Sequence, residues 1–204
     1  MTDQVGFVGD IHGEVKLLEQ LLQSAIPRVS RLVFLGDYVN RGRRSREVID
    51  RLVRLRDEGV PATFLAGNHD RAFLQALSSS DIVPFLRIGG AATISSYLRE
   101  PITDLGRQLR GAVPDEHRAF LSALLPTDTG PGYVAAHEPD PELASDQIYG
   151  IFGHLPQRSL TPHINQQRAL VDTGCGTWPR GRLTCFLWPS REWFQVPDDN
   201  SSSV

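Results

Sequence analysis

Residues 5–13 read VGFVGDIHG, a short apolar run that ends in Gly9-Asp10. Beyond it, Val15, Leu17, Leu18, Leu21 and Leu22 repeat at helical spacing and make one apolar face. The same grammar returns twice. Arg31 to Leu35 is a second run, closed by Gly36-Asp37, and a helix is expected from about Arg44 to Asp57. Pro61 to Leu65 is a third, closed by Gly67-Asn68-His69-Asp70, where a third helix is expected to start. Strands alternating with helices specify an α/β sheet with right-handed crossovers.

The rest of the chain departs from this pattern. Ser78 to Pro126 holds short amphipathic segments broken by Pro84, Gly89-Gly90, Pro101 and Pro114, and reads as a mostly helical cap over one end of the sheet. The last third returns to short strands, with candidates at Tyr133 to Ala136, Ile148 to Phe152, Ala169 to Val171 and Leu183 to Trp188. Residues 1–196 are expected to form one domain, with 78–126 as its cap-like region. The polar, serine-rich stretch 197–204 is expected to be disordered.

Composition narrows the class. The 204 residues suit one domain with a sizeable core, and the balance of 40% hydrophobic and 22% charged residues is that of a globular protein. A net charge of −3 provides no global attraction to nucleic acid or to an anionic membrane, and neither is expected as a partner. Lys16 is the one lysine among the 21 basic residues. Cys175 and Cys185 do not make a disulfide scaffold and are expected to be reduced, buried thiols. No apolar stretch approaches the roughly 20 residues of a membrane span, and no signal peptide is recognisable, so a soluble cytoplasmic protein is expected.

The informative feature is where the polar groups fall. Ligands of open α/β sheets bind outside the carboxyl ends of the strands. Asp10 and His12, Asp37, and Asn68 and His69 follow the first three runs; His137 and His154 follow two later ones. A lone Gly-Asp is ordinary turn or cap chemistry. Five such strand ends bring carboxylate, amide and imidazole groups to one edge, a donor set suited to manganese, iron or zinc. One carboxylate shared between two ions holds them about 3.5–4 Å apart, and such a pair supports in-line displacement at phosphorus.

These segments resemble the calcineurin-like metallophosphoesterase superfamily. More narrowly, they resemble its phosphoprotein-phosphatase branch, which includes bacterial serine/threonine phosphatases and symmetrical dinucleoside-tetraphosphate hydrolases. The resemblance is carried by GDIHG at 9–13, GDYVNRG at 36–42, GNHD at 67–70, AAH at 135–137, FGH at 152–154 and VDTGCG at 171–176, followed by GRLTC at 181–185. It implies an α/β (α+β) sandwich of two mixed sheets flanked by helices. It implies two divalent ions, manganese foremost, with Asp10, His12 and Asp37 on the first and Asp37, Asn68, His137 and His154 on the second. Arg41 would grip the substrate phosphate, Asn68 would touch metal and phosphate, and His69, oriented by Asn40, would protonate the leaving group. A metal-activated hydroxide would attack phosphorus directly, in a phosphorylated protein or in a small phosphoester or nucleotide.

Departures from the family pattern shape the expectation. Position 40 is Asn where the protein phosphatases carry Asp, which removes a charge beside His69 and lowers its expected pKa. The same change is found in the tetraphosphate hydrolases, so a dinucleoside polyphosphate or nucleotide is the alternative substrate. Glu138 to Gly153 contains no arginine, so the branch's second phosphate clamp is missing; Arg180 and Arg182 are the nearest substitutes. Ala66 stands where the motif often has Arg, and Leu155-Pro156 replace the second histidine of the nuclease-type members. A non-catalytic binding module is a third reading, opposed by the presence of all six ligand residues with Arg41 and His69.

Four further features have bland readings. His117, among charged neighbours, reads as a surface residue at a helix start, and His163 as a plain loop residue. The arginines between 41 and 56 read as an ion-paired helix face against Glu47 and Asp50, with Arg43 and Arg44 close enough to the pocket to attract anions. Trp178 reads as a packing residue, with stacking on a base as its functional counterpart.

Overall fold

The computed structural model of the chain describes residues 3–79, 81–98, 104–140, 142–143, 145 and 147–196; the expected disordered tail, 197–204, lies outside them. The first third alternates as anticipated: β1 (Val5–Val8), α1 (Val15–Ala25), β2 (Arg31–Phe34), α2 (Ser45–Asp57), β3 (Ala62–Phe64) and α3 (Asn68–Ser78). Four helices follow, α4 (Val83–Arg87), α5 (Ala91–Tyr97), α6 (Leu105–Ala112) and α7 (Asp115–Ser122). The remainder is β4 (Thr127–Gly130), β5 (Tyr133–Ala136), β6 (Tyr149–Phe152), β7 (His163–Ile164), β8 (Arg168–Leu170), β9 (Leu183–Trp188) and β10 (Trp193–Val196).

Two five-stranded mixed sheets result. In one the order is β10-β9-β1-β2-β3, with β1, β2 and β3 parallel and β9 antiparallel to β1. In the other it is β4-β5-β6-β8-β7, with β5, β6 and β8 parallel. The period-2 geometry of a strand explains how one apolar run serves two layers. Leu32 and Phe34 turn toward Leu18, Leu21, Val48 and Leu52 of the helices. Val33 and Leu35 turn the other way and pack with Tyr133, Ala135 and Ile151 of the facing sheet. Each such fully buried side chain contributes about 1.5–3 kcal/mol.

The apolar face of α1 is the one read from the sequence: Val15, Leu17, Leu18, Leu21, Leu22 and Ala25 are buried. Pro27 lies in the short 3-10 turn that ends it. The helices of the 78–126 region join the same core, with Phe85, Ile94, Tyr97, Leu109 and Phe120 in one cluster with the α1 and α2 residues. No helix among the described residues is long and apolar enough to cross a membrane.

Three strands were not anticipated. β4 reads TDTG, a polar edge strand fastened by the Arg31–Asp128 ion pair at 2.8 Å. β7 has only two residues, His163 among them, and β10 is an edge strand. The surface reading of His117 is corrected. The side chain is fully buried between α2 and α5, with Nε2 2.8 Å from Asp50 Oδ1 and Nδ1 2.8 Å from the Tyr97 hydroxyl. The Asp50 carboxylate only accepts, so Nε2 carries the proton and Nδ1 accepts from Tyr97. The charged neighbours of His117 occupy other faces of α7, which is why they misled.

Candidate metal centre

The expected site residues converge at one edge of the sandwich. Asp10, Asp37 and Asn68 lie beyond the carboxyl ends of β1, β2 and β3, and His137 and His154 beyond those of β5 and β6. The turns that present them are conformationally costly. His12, Asp37, Asn40, Arg41 and His154 all have positive φ, between 47° and 71°. Non-glycine residues rarely adopt this region, and strain of this kind clusters at functional sites. Glycine precedes several of the site residues for a steric reason. A Cβ on Gly67 would overlap the Asp37 carboxylate, and one on Gly153 would overlap that of Asp10.

Asp37 is the hub. Its Oδ2 lies 3.4 Å from His137 Nε2, 3.6 Å from His12 Nε2 and 3.9 Å from His69 Nε2. Backbone carbonyls hold two of these rings: His12 Nδ1 donates to Val39 at 2.9 Å and His137 Nδ1 to Leu35 at 2.9 Å. Both rings therefore turn Nε2 toward Asp37, the nitrogen that would be free to ligate an ion once deprotonated. Asn68 Oδ1 lies 3.1 Å from both His137 Nε2 and His154 Nδ1. Asp10 Oδ2 is 3.9 Å from His12 Nε2, and its Oδ1 accepts from the His154 amide at 3.1 Å. Of three groups with the spacing of metal ligands, two lie at this edge, His12–Asp37–His69 and Asp37–His137–His154, and they share Asp37; the third, Asp50–Glu116–His117, lies elsewhere. This mixed oxygen and imidazole set, with the second nitrogens of His12 and His137 tied to carbonyls, fits divalent ions.

The electrostatics are those of buried ionisable groups brought close together. Burial, then the charge of Asp172, raises the Asp10 carboxyl well above its ordinary range. Burial works against a charge on His137, but hydrogen bonding and charge from Asp37 prevail and push it up to about 10. Burial lowers His69 to about 4, with the attraction of Asp37 opposing.

His69 is held from behind. Its Nδ1 is 2.7 Å from Asn40 Nδ2, while Asn40 Oδ1 accepts from the Thr93 hydroxyl at 2.7 Å. Asp70, the last residue of the GNHD segment, accepts from the amides of Asp37 at 2.7 Å, Gly67 at 3.0 Å and Tyr38 at 3.0 Å. One buried carboxylate thus locks the turn that presents Asp37.

The cleft over these groups has a volume of about 350 Å³. Arg41 lines it as expected. Its second guanidinium is that of Arg87, at the end of α4, and not that of Arg180 or Arg182. Asp172, just beyond β8 and 2% exposed, also lines it. The sequence carried a signal for Asp172, since it follows a strand and precedes Gly174 as the other site acids stand beside glycines. It carried none for Thr93 or Arg87, which come from α5 and α4.

This constellation of strand-end ligands on a two-sheet sandwich defines a metal-dependent phosphoester hydrolase. A family model described as calcineurin-like phosphoesterase matches residues 4–163, and the chain belongs to that family. It is 36% identical over 85 residues to serine/threonine-protein phosphatase 2 of Escherichia coli (strain K12), covering 41% of this chain and 37% of that protein. It is 26% identical, over 97% of this chain and 75% of the relative, to the symmetrical bis(5'-nucleosyl)-tetraphosphatase of Pseudomonas putida (strain W619). Among solved structures, one described as a diadenosine tetraphosphatase superposes with a TM-score of 0.65 at 21% identity, covering 98% of this chain and 96% of that one. That last likeness is one of fold.

Proposed function

We propose that the chain is a phosphatase of the bacterial serine/threonine protein phosphatase type, acting on phosphomonoesters by direct in-line attack of water on phosphorus. The observation that carries this reading is the position of Asp37 Oδ2, within 4 Å of the imidazoles of His12, His69 and His137 and common to two ligand triads. Two divalent ions, manganese foremost and iron or zinc otherwise, would supply Lewis acidity there and lower the pKa of a coordinated water. Asp10, His12 and Asp37 would hold one ion, and Asp37, Asn68, His137 and His154 the other. Arg41 would present a guanidinium to the phosphoryl oxygens, a bidentate fit, and Arg87, which also lines the cleft, would serve as the second clamp. His69 turns Nε2 into the cleft, toward Asp37, and is the group to deliver a proton to the leaving oxygen. Asn40 keeps that ring in place through Nδ1. The two free, buried cysteines suit a cytoplasmic setting.

A second reading takes a dinucleoside polyphosphate or nucleotide as substrate. Likeness to a tetraphosphatase along 97% of the chain favours it, as does Asn40.

The test is hydrolysis of p-nitrophenyl phosphate after chelation and manganese re-addition, beside an Asp37→Ala variant. Manganese-dependent release by the parent and none by the variant is expected. Activity indifferent to both manipulations overturns the metal-centred reading. Comparing phosphate release from phosphopeptides with cleavage of diadenosine tetraphosphate then separates the two substrate classes.

A further inference from the structure

Three carboxylates line the metal cleft, Asp10, Asp37 and Asp172, and each is 2% exposed. Asp10 and Asp37 would hold ions, whereas Asp172, just beyond β8, has no part in that ligand set. Its Oδ1 accepts from the amide of Gly174 at 2.8 Å. Among the described residues its other oxygen, Oδ2, makes no hydrogen bond, and no lysine, arginine or histidine nitrogen lies within 4.0 Å of either oxygen. A carboxylate buried this deeply is costly unless it is paired or faces a cation. Its neighbours add to that cost, because the charge of Asp172 acts on Asp10 and that of Asp37 acts on Asp172.

The segment that carries Asp172 is docked on the strand end that carries Asp10 and His12. A Cβ on Gly9 would meet the Val171 carbonyl oxygen at 2.7 Å, and one on Gly176 would run into the carbonyl of His12. Cys175 Sγ donates to the Ile11 carbonyl at 3.3 Å. From the other side the Asp172 carbonyl accepts from the Gln157 amide at 3.0 Å. The carboxylate is therefore held against the Asp10–His12 turn with one oxygen fixed and the other without a partner. The turn alone does not call for an acid at this position. An asparagine would accept from Gly174 equally well and would bury no charge.

The two ligand sets are also unequal. Asp37, Asn68, His137 and His154 would give one ion four residues, and Asp10, His12 and Asp37 would give the other three. Asp172 adjoins the shorter set. We propose that Asp172 belongs to the site of the ion assigned to Asp10, His12 and Asp37, and offers it Oδ2 and a full negative charge. The buried carboxylate thereby gains the cation that its surroundings in the protein do not provide. This rests on the metal-centre reading and adds to it a residue far along the chain from Asp10.

The test compares Asp172→Asn with the parent, since the amide oxygen can still accept from Gly174 while the charge is gone. Manganese binding to the chelated proteins is measured by equilibrium dialysis, for this pair and for the same pair carrying His154→Gln, which lacks a ligand of the other ion. Asp172→Asn is expected to weaken one ion roughly tenfold, and to do so equally beside His154→Gln, with the other ion changed less than about twofold. The melting midpoint without metal should not fall, because the turn keeps its hydrogen bond and loses a neighbouring like charge. Should asparagine disturb the turn, Asp172→Ser, which also presents an acceptor to Gly174, reads the same affinities. Unchanged affinities would leave Asp172 as the cap of a turn and overturn the proposal, as would an effect that disappears beside His154→Gln. A parent that binds neither manganese nor zinc removes the metal centre and this proposal with it. A parent that binds two ions no better than the variant removes the role of Asp172 alone.

Discussion

The hydroxyl of Thr93 donates to Asn40 Oδ1 at 2.7 Å and accepts from the Asn40 backbone amide at 2.8 Å, so a residue of α5 holds the residue that holds His69. Both side chains are fully buried, and Ser45 Oγ, 3.0 Å from the Thr93 hydroxyl, completes the cluster. Thr93→Val keeps the shape and removes the hydroxyl. It leaves the buried Asn40 Oδ1 unpaired, while the backbone amide keeps Ser45 Oγ at 3.2 Å, a cost of about 1–3 kcal/mol in stability. If His69 delivers the leaving-group proton, the variant slows phenyl phosphate roughly tenfold or more and 2,4-dinitrophenyl phosphate far less, because a good leaving group needs no acid. KM stays near its parent value, and Thr93→Ser restores the rate. Equal slowing of both esters would mean that Thr93 serves packing alone.

Metal occupancy is expected to stabilise the fold. Divalent ions would add positive charge beside the buried carboxylates around Asp37, and any ligand of the native state raises stability by mass action. Thermal unfolding of chelated protein should shift upward on adding manganese. The shift should vanish in Asp37→Ala. An unchanged midpoint in the parent argues against tight binding.

Arg87 rather than Arg180 or Arg182 is expected to be the second phosphate contact. Arg87→Ala should raise KM for p-nitrophenyl phosphate several-fold with a smaller change in kcat, the pattern of lost ground-state binding. Arg180→Ala and Arg182→Ala should behave as the parent. Steady-state kinetics on the three variants decides the matter.

Asp70 should be a stability determinant as much as a site residue. Its carboxylate accepts from three buried backbone amides, and Asp70→Ala orphans all of them. A loss of about 3 kcal/mol or more is expected, lowering the melting midpoint by roughly 6 °C or more. Calorimetry on metal-free parent and variant measures it.

His117 should make the fold acid-sensitive. Burial holds it below the ordinary histidine range, with Asp50 opposing. Above about pH 6.5 the residue is neutral in both folded and unfolded chains and adds no pH dependence. Below that, the unfolded chain takes up a proton that the folded one resists, so stability falls as pH falls. His117→Phe should be less stable than the parent at pH 7 yet lose less between pH 7 and 5. Urea unfolding at several pH values reads both slopes, and parallel slopes would remove His117 from the account.

Much of the fold and of the metal edge was legible because both depend on local pattern. Apolar runs ending in Gly-Asp or Gly-Asn mark strand ends, and the glycines are required where strand ends crowd together, as at Gly67 against Asp37. The helical period of residues 15–22 and 44–57 was equally direct. The polar edge strand β4 and the two-residue β7 lacked such a pattern, since an edge strand needs no apolar alternation to pair.

What the sequence by itself determined was the set of carboxylate, amide and imidazole groups gathered at one edge and the order in which the strands present them. Only the tertiary structure decided that Thr93 backs Asn40, that Arg87 enters the cleft, that Asp172 lies beside Asp10 and that His117 is buried. These contacts join residues far apart in the chain, such as Asn40 and Thr93. Those of Thr93, Arg87 and His117 come from how α4, α5 and α7 dock, and docking follows from the packing of whole faces, which leaves no mark on any one position.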